Sequence, residues 1–270
     1  MITQNLHMHS TWDDGKCSVE EMILASKEAG LHSVGVSVHC PMPFANDWEC
    51  PKERLPDYRT EVLRVKEKYA GMIDVYLGIE WDVSAKDIDL SPYDYVIGSA
   101  HMLPLAGNPS VDESAEATAR ALETHFGGDA DAMAEMYFAE LEKVALEPRA
   151  VIAGHFDLLT KFDETHHFFN ENSLRYQRAA ERAMEKLVKA GKIFEVNTGA
   201  ISRGYRSMPY PSAKWLRLLR EMNGKVTVSA DAHHTSGVTC AFDLAEKLVK
   251  ETGFDEIWVL EGKEFIPMKI

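Results

Sequence analysis

Short apolar runs rich in Val and Ile alternate with helix-patterned stretches along nearly the whole chain, which restricts the fold to βα units around a mainly parallel sheet. The runs read as strands in the segment leading into His7, at residues 33–38, 73–79, 93–100, 150–154, 192–197 and 225–230, with a closing strand at 256–260. Between them the pattern predicts a helix opened by a Ser18/Glu21 capping box and stopped at Gly30, and others over about 57–69, 130–147, 173–190 and 242–252. Residues 103–129 read as an insertion, acidic and rich in small residues. With the helix after it, as far as residue 148, this insertion is expected to cover one mouth of a barrel. At 270 residues and 45% hydrophobic composition the chain can bury a large core, and α/β barrels often reach this size as one unit, so residues 1–270 are expected to form a single domain.

The ends of these runs are chemically uniform. His7 and His9 leave the first run, His39 ends the second, Glu80 the third, His101 the fourth, His155 the fifth, and Asp231 with His233 the seventh. Two residues apart in a strand, His7 and His9 share a face, and a parallel barrel gathers the C-terminal ends of its strands at one mouth. Histidines kept for packing would also fall mid-strand or on helices; these occupy one position per unit. Asp14, after a bend ending at Gly15, brings the donors to nine. That is too many for one tetrahedral ion, so two or three divalent ions are expected. Glu80 is the natural bridge, because a carboxylate has lone pairs on both oxygens. Nitrogen and oxygen donors without thiolates suit zinc, manganese or iron in a hydrolytic site.

A net charge of -14 argues against a general nucleic-acid or membrane surface, and an anionic substrate would need local positive charge from ions or a few placed Arg and Lys. The cysteines, Cys17, Cys40, Cys50 and Cys240, form no CxxC pair, which suits a reducing compartment. No stretch approaches the roughly 18 apolar residues of a membrane span, and the chain starts without a leader pattern. A soluble, cytoplasmic protein is expected.

His7-Met8-His9-Ser10 with Asp14-Gly15, His39 after the second strand, Gly78-Ile79-Glu80, Gly98-Ser99-Ala100-His101, Gly154-His155-Phe156-Asp157-Leu158 and Asp231-Ala232-His233 together resemble the polymerase-and-histidinol-phosphatase (PHP) metallohydrolases, over essentially the whole chain. Within that family the chain is most similar to the stand-alone histidinol phosphate phosphatases. The segments that carry this are residues 154–158, Glu195-Val196-Asn197-Thr198, Tyr210-Pro211-Ser212 and the insertion after His101. The resemblance implies a distorted (β/α)7 TIM-like barrel with a trinuclear site at the C-terminal strand ends. It further implies one ion on His7, His9, Glu80 and Asp231, a second on Glu80, His101 and His155, and a third on Asp14, His39 and His233. The implied activity is phosphomonoester hydrolysis of a small substrate, foremost L-histidinol phosphate in histidine biosynthesis. A hydroxide bridging two ions would attack phosphorus, with Asp231 and Glu80 as catalytic carboxylates.

Two departures from the family pattern stand out. Val38 precedes His39 where an Asp is common, so a carboxylate orienting that imidazole must come from elsewhere. Where some histidinol phosphatases carry Arg, this chain offers Lys161, Arg203 and Arg206, which become the candidate phosphate-binding residues. Hydrolysis of another small ester, or of a phosphodiester in nucleic acid, uses the same metals, though the acidic balance disfavours nucleic acid. A non-catalytic accessory PHP module would show degenerate ligand positions. Among the remaining residues, Trp12 and Trp81 flank donor positions and could wall the pocket or pack between barrel and helices. Glu195 and Asn197 are expected to hydrogen-bond within the site floor, His32 and His125 to lie at the surface, His166 and His167 to be an exposed loop pair or to line the mouth, and His234 to be exposed or to stand behind the ligands.

Overall fold

In the structure, a computed structural model describing residues 1–270, seven parallel strands follow one another in sequence order. They are β1 (Gln4–Asn5), β2 (Ser33–His39), β3 (Asp74–Asp82), β4 (Tyr95–Ser99), β5 (Ala150–Ala153), β6 (Ile193–Asn197) and β7 (Lys225–Ser229). Alternation along each strand divides its side chains between two environments. On β3, Val75, Leu77 and Ile79 face outward into a cluster of 65 buried residues shared with the helices, while Tyr76 joins a small inner cluster with Leu6, Tyr95, Ile97 and Ile152. Inside, the Tyr95 ring lies across β2 and β3. Its hydroxyl donates to the Leu6 carbonyl at 2.5 Å, and a Cβ at Gly35 or Gly78 would stand 2.2 Å from it. Only glycine leaves the ring room at those two positions.

The barrel closes on very little backbone pairing, which is its distortion. Between the first and last strands there is one parallel bridge, Met8 to Ala232, with the His9 N–H donating to the Ala232 carbonyl at 2.9 Å. Asn5 replaces the missing ladder: its Oδ1 accepts from the Ala230 and His7 N–H groups, both at 3.1 Å. An amide side chain thus satisfies buried backbone donors that no strand partner reaches.

The helices are α1 (Val19–Glu28), α2 (Leu55–Lys68), α3 (Ala115–Phe126), α4 (Ala130–Leu141), α5 (Asp163–His166), α6 (Leu174–Lys189), α7 (Gly199–Ser202), α8 (Ala213–Glu221) and α9 (Phe242–Glu251). The capping box forms as the sequence indicates, Ser18 N–H donating to Glu21 Oε2 at 2.8 Å and Ser18 Oγ accepting from Glu21 N–H at 3.3 Å. Four helices lie where the sequence reading has none: α3, α8 and the four-residue α5 and α7. The insertion carries α3, capped by Ser114 and ended by a left-handed Gly127; its Ala- and Glu-rich face lacks the bulky stripe from which periodicity is read.

The closing strand does not join the barrel. β8 (Glu256–Glu261) pairs antiparallel with β9 (Glu264–Lys269) as a separate hairpin. Gln4 docks it, Nε2 donating to the Leu260 carbonyl at 2.9 Å and Oε1 accepting from the Leu260 N–H at 2.8 Å. Leu260 and Phe265 then pack on the inner cluster, stopping the barrel at the end opposite the strand C-termini. No helix is long and apolar enough to cross a membrane, and all four cysteines are free.

Candidate metal centre and substrate cavity

Towards the C-terminal mouth the inner positions turn from apolar to polar: β3 continues Tyr76 with Glu80 and Asp82, β4 continues Ile97 with Ser99, and β6 ends on Glu195 and Asn197. His39 is the last residue of β2, His101 and His155 follow β4 and β5, and Asp231 and His233 follow β7. All nine candidate donors meet there. Glu80 sits in the middle. Its Oε2 lies 3.1 Å from His7 Nε2 and 3.0 Å from His39 Nδ1, and its Oε1 lies 2.9 Å from His155 Nε2 and 3.4 Å from His101 Nε2. Ser99 Oγ donates to the same Oε1 at 2.7 Å. Asp231 Oδ1 is 3.3 Å from His9 Nε2, and Asp14 Oδ1 is 3.2 Å from His233 Nε2 and 3.9 Å from His39 Nε2.

Three groups bring their donor atoms close enough for one ion each: His7, His9 and Glu80; His39, Glu80 and His101; and His9, Asp14, His39 and His233. His39 reaches both Glu80 and Asp14. The buried Nε2 of His9 and Oδ1 of Asp14 have no hydrogen-bond partner in the protein. Unpartnered buried polar atoms are costly, and a cation facing them would satisfy both, so the donor set fits divalent metal ions.

Three carboxylates stand behind the imidazoles. Glu195 Oε1 meets His7 Nδ1 at 2.6 Å, Asp13 Oδ2 meets His9 Nδ1 at 2.6 Å, and Asp82 Oδ2 meets His101 Nδ1 at 3.0 Å. Each pair turns the other ring nitrogen towards the centre, the arrangement that orients metal-binding histidines. Glu195 was legible as a floor residue. Asp13 and Asp82 were not, although Asp82 keeps the two-residue rhythm of Glu80 and Asp13 lies four residues after His9. His39 has no such backing carboxylate, since its two ring nitrogens face Glu80 and Asp14; Asp13 accepts from its backbone N–H at 3.0 Å. The ring is instead stacked on His9, with centroids 4.3 Å apart, and meets Trp48 edge-on at 5.0 Å.

These pairs set the charges. Burial alone would depress His7, His9 and His101, but Glu195 and Glu80 hold His7 well above its ordinary value, Asp13 pushes His9 up to about 10, and Glu80 with Asp82 raises His101. Burial would raise the carboxyls of Glu80 and Asp231, yet His7 and His39 beside Glu80, and Arg203 and His7 beside Asp231, hold both well below the usual range. Burial and the neighbouring His9 lower His233. Asp231 also adopts a left-handed backbone, φ 48°, a strained conformation for a residue with a Cβ and one that clusters at functional sites.

The centre opens into a cavity of about 660 Å³ whose wall includes Arg203 and Lys161 but not Arg206. Arg203 Nη2 donates to Asp231 Oδ2 at 3.0 Å and Nη1 to the Asp231 carbonyl at 2.9 Å, leaving its buried Nε unpartnered. Lys161 Nζ, buried, bonds the Asp112 carbonyl at 2.8 Å and Oδ2 at 3.1 Å. Arg206 turns away, donating to the Thr160 carbonyl at 3.1 Å and stacking on Tyr210 at 4.5 Å. The wall aromatics are Phe44 and Trp48. Trp12 packs edge-on to Tyr58 with Arg54 over its ring, and Trp81 packs on the outer core. His32, His125, His166, His167 and His234 are exposed.

The chain is similar to several known proteins. A protein of Schizosaccharomyces pombe named "Probable histidinol-phosphatase" is 25% identical over 263 residues, spanning 90% of this chain and 84% of its own. One of the same name from Deinococcus radiodurans is 29% identical over 245 residues, 86% of each. The solved structure of histidinol phosphate phosphatase from Lactococcus lactis, in complex with zinc, L-histidinol and phosphate, superposes with a TM-score of 0.75 over 98% of both chains at 18% identity, a likeness of fold. The sequence pattern of the PHP domain covers residues 5–199, from β1 to the end of β6 and through most of the donor cluster, and by that match the chain belongs to the PHP domain family.

Proposed function

We propose that this protein is a metal-dependent phosphomonoesterase whose substrate is L-histidinol phosphate. The observation that carries the reading is the set of imidazoles around Glu80, three of them backed by buried carboxylates, opening on a cavity with Arg203 and Lys161 in its wall. The histidinol-phosphatase names of relatives that span nearly the whole chain support it, as does the Lactococcus lactis structure of the same fold with zinc, L-histidinol and phosphate.

In this reading His7, His9, Glu80 and Asp231 hold one ion, Glu80, His101 and His155 a second, and Asp14, His39 and His233 a third; zinc, manganese and iron all suit the donors. Bound there, divalent ions supply an acidified water and positive charge opposite the phosphate oxygens. The protein's own groups position and neutralise. Arg203, anchored through Nη2 on Asp231, has its Nε left as a donor for a phosphate oxygen, and the Lys161 ammonium stands in the same wall. Asp231, kept ionised by Arg203, is placed to take the proton of the attacking water and return it to the leaving alkoxide. The local cations let an acidic protein accept a dianion.

The test is phosphate release by protein reconstituted with manganese or zinc, offered L-histidinol phosphate, other small phosphomonoesters, a cyclic nucleotide and single-stranded DNA. L-Histidinol phosphate is the expected preferred substrate. His9→Ala and Asp231→Ala should each lose more than about a hundredfold in kcat with unchanged far-UV circular dichroism. Full activity in either variant, or faster turnover of the cyclic nucleotide or DNA, would overturn the reading.

A further inference from the structure

The cavity has two chemically different sides. Its floor carries the donor cluster with Arg203 and Lys161, both already paired with carboxylates of the protein. Lys16, exposed, enters on the Asp14 side, where its N–H donates to the His233 carbonyl. The loop after β2 and the insertion line the rest, contributing Phe44, Trp48, Asp47 and Glu113. Asp47 and Glu113 are exposed and, unlike Asp112 on Lys161, have no ion-pair partner.

The backbone that carries Trp48 is held by hydrogen bonds within its own loop. The Glu49 carboxylate accepts from the Met42 N–H at 2.5 Å and from Asn46 Nδ2 at 2.7 Å. In turn Asn46 Oδ1 accepts from the N–H groups of Trp48 and Glu49 at 3.2 and 3.1 Å. On this clasped loop the indole lies edge-on to His39, with His101 6.2 Å away. A flat ring or an ammonium group packs well against an indole, and an ammonium pairs with free carboxylates. A sugar phosphate or a nucleotide strand would bring hydroxyls or further phosphates to the same carboxylates, and the phosphates would be repelled.

We propose that Trp48, with Asp47 and Glu113, forms the leaving-group subsite of this cavity, selecting phosphomonoesters whose alcohol half carries a planar ring and a positively charged amine. The inference rests on the phosphatase reading and adds the residues that choose the alcohol.

The experiment compares metal-loaded wild type, Trp48→Ala and the double variant Asp47→Asn/Glu113→Gln on L-histidinol phosphate and on phenyl phosphate, which has the ring without the amine. L-Histidinol binding is followed separately by tryptophan fluorescence. The double variant should lower the ratio of kcat/KM for L-histidinol phosphate over phenyl phosphate about tenfold or more, chiefly through KM. Trp48→Ala should raise KM for both esters and abolish the fluorescence response to L-histidinol. An unchanged ratio in the double variant, or a fluorescence response that survives loss of Trp48, would overturn the subsite while leaving the phosphatase standing. Wild type that hydrolyses neither ester would overturn both.

Discussion

Glu195 shows how much of this site depends on residues that need touch no ion. It is fully buried, and one carboxylate serves three partners: His7 Nδ1 at 2.6 Å, the His155 N–H at 2.9 Å and Asn197 Nδ2 at 3.0 Å. Burial would raise its carboxyl, but His7 holds it below the usual value. Removing the carboxylate frees the His7 ring to turn and leaves the buried His155 N–H without an acceptor. Glu195→Ala should therefore weaken metal binding by about 10- to 100-fold, read by competition with a chromophoric chelator, with Glu195→Gln intermediate because its amide oxygen still accepts. Equal affinity in wild type and the Ala variant would remove Glu195 from the metal centre. Arg203 and Arg206 make the complementary point: three positions apart in one loop, one reaches Asp231 and the other caps the Thr160 carbonyl.

Among the elements, β3 and the turn of α5 carry the most specific demands. Gly78 on β3 faces the Tyr95 ring, and the ring is held by its bond to Leu6. Gly78→Ala should cost about 1–3 kcal/mol as an overpacking change, measured by denaturant unfolding; a neutral result would mean the ring can move aside. At α5, the Asp163 carboxylate accepts from the N–H groups of Phe168 at 2.8 Å and Phe169 at 3.2 Å, while burial pushes its carboxyl up to about 6. Its folded value lies above the unfolded one, so its contribution to stability is fully present below about pH 4 and is lost as pH rises through about 6. Melting curves of wild type and Asp163→Asn should converge or cross over that interval, the wild type losing ground as pH rises. Parallel curves from pH 4 to 7 would show that Asp163 titrates normally.

For the whole molecule, the mouth of the barrel concentrates negative charge. Asp14, Glu80 and Asp231 face the centre and Asp13, Asp82 and Glu195 stand behind the rings. Divalent cations bound there would link β1, β2, β3, β4, β5 and β7 across a barrel closed by one backbone bridge. Ions present at about a thousandfold over their dissociation constant stabilise the folded state by about 4 kcal/mol per site. For a chain of this size that is roughly seven degrees of Tm per site, so chelation of three ions should lower Tm by roughly twenty degrees. Scanning calorimetry with metal analysis before and after chelation checks this; metal removed without any change in Tm would mean that the ions do not brace the fold.

The sequence by itself determined the order of the seven barrel strands and the chemistry of their ends, because both are local. Short Val- and Ile-rich runs between helical patterns mark the strands, the Ser18/Glu21 cap forms within one turn of helix, and a donor placed after each strand must arrive at the mouth of any parallel barrel. What depends on chain segments far apart was left to the tertiary structure. Asn5 finding Ala230, the hairpin docking on Gln4, and Lys161 meeting Asp112 are contacts across 225, 256 and 49 residues. Asp13 and Asp14 look alike in sequence, yet one backs His9 and the other faces His233. Such choices rest on side-chain direction within a closed shape, and local pattern carries no record of that shape until packing has set it.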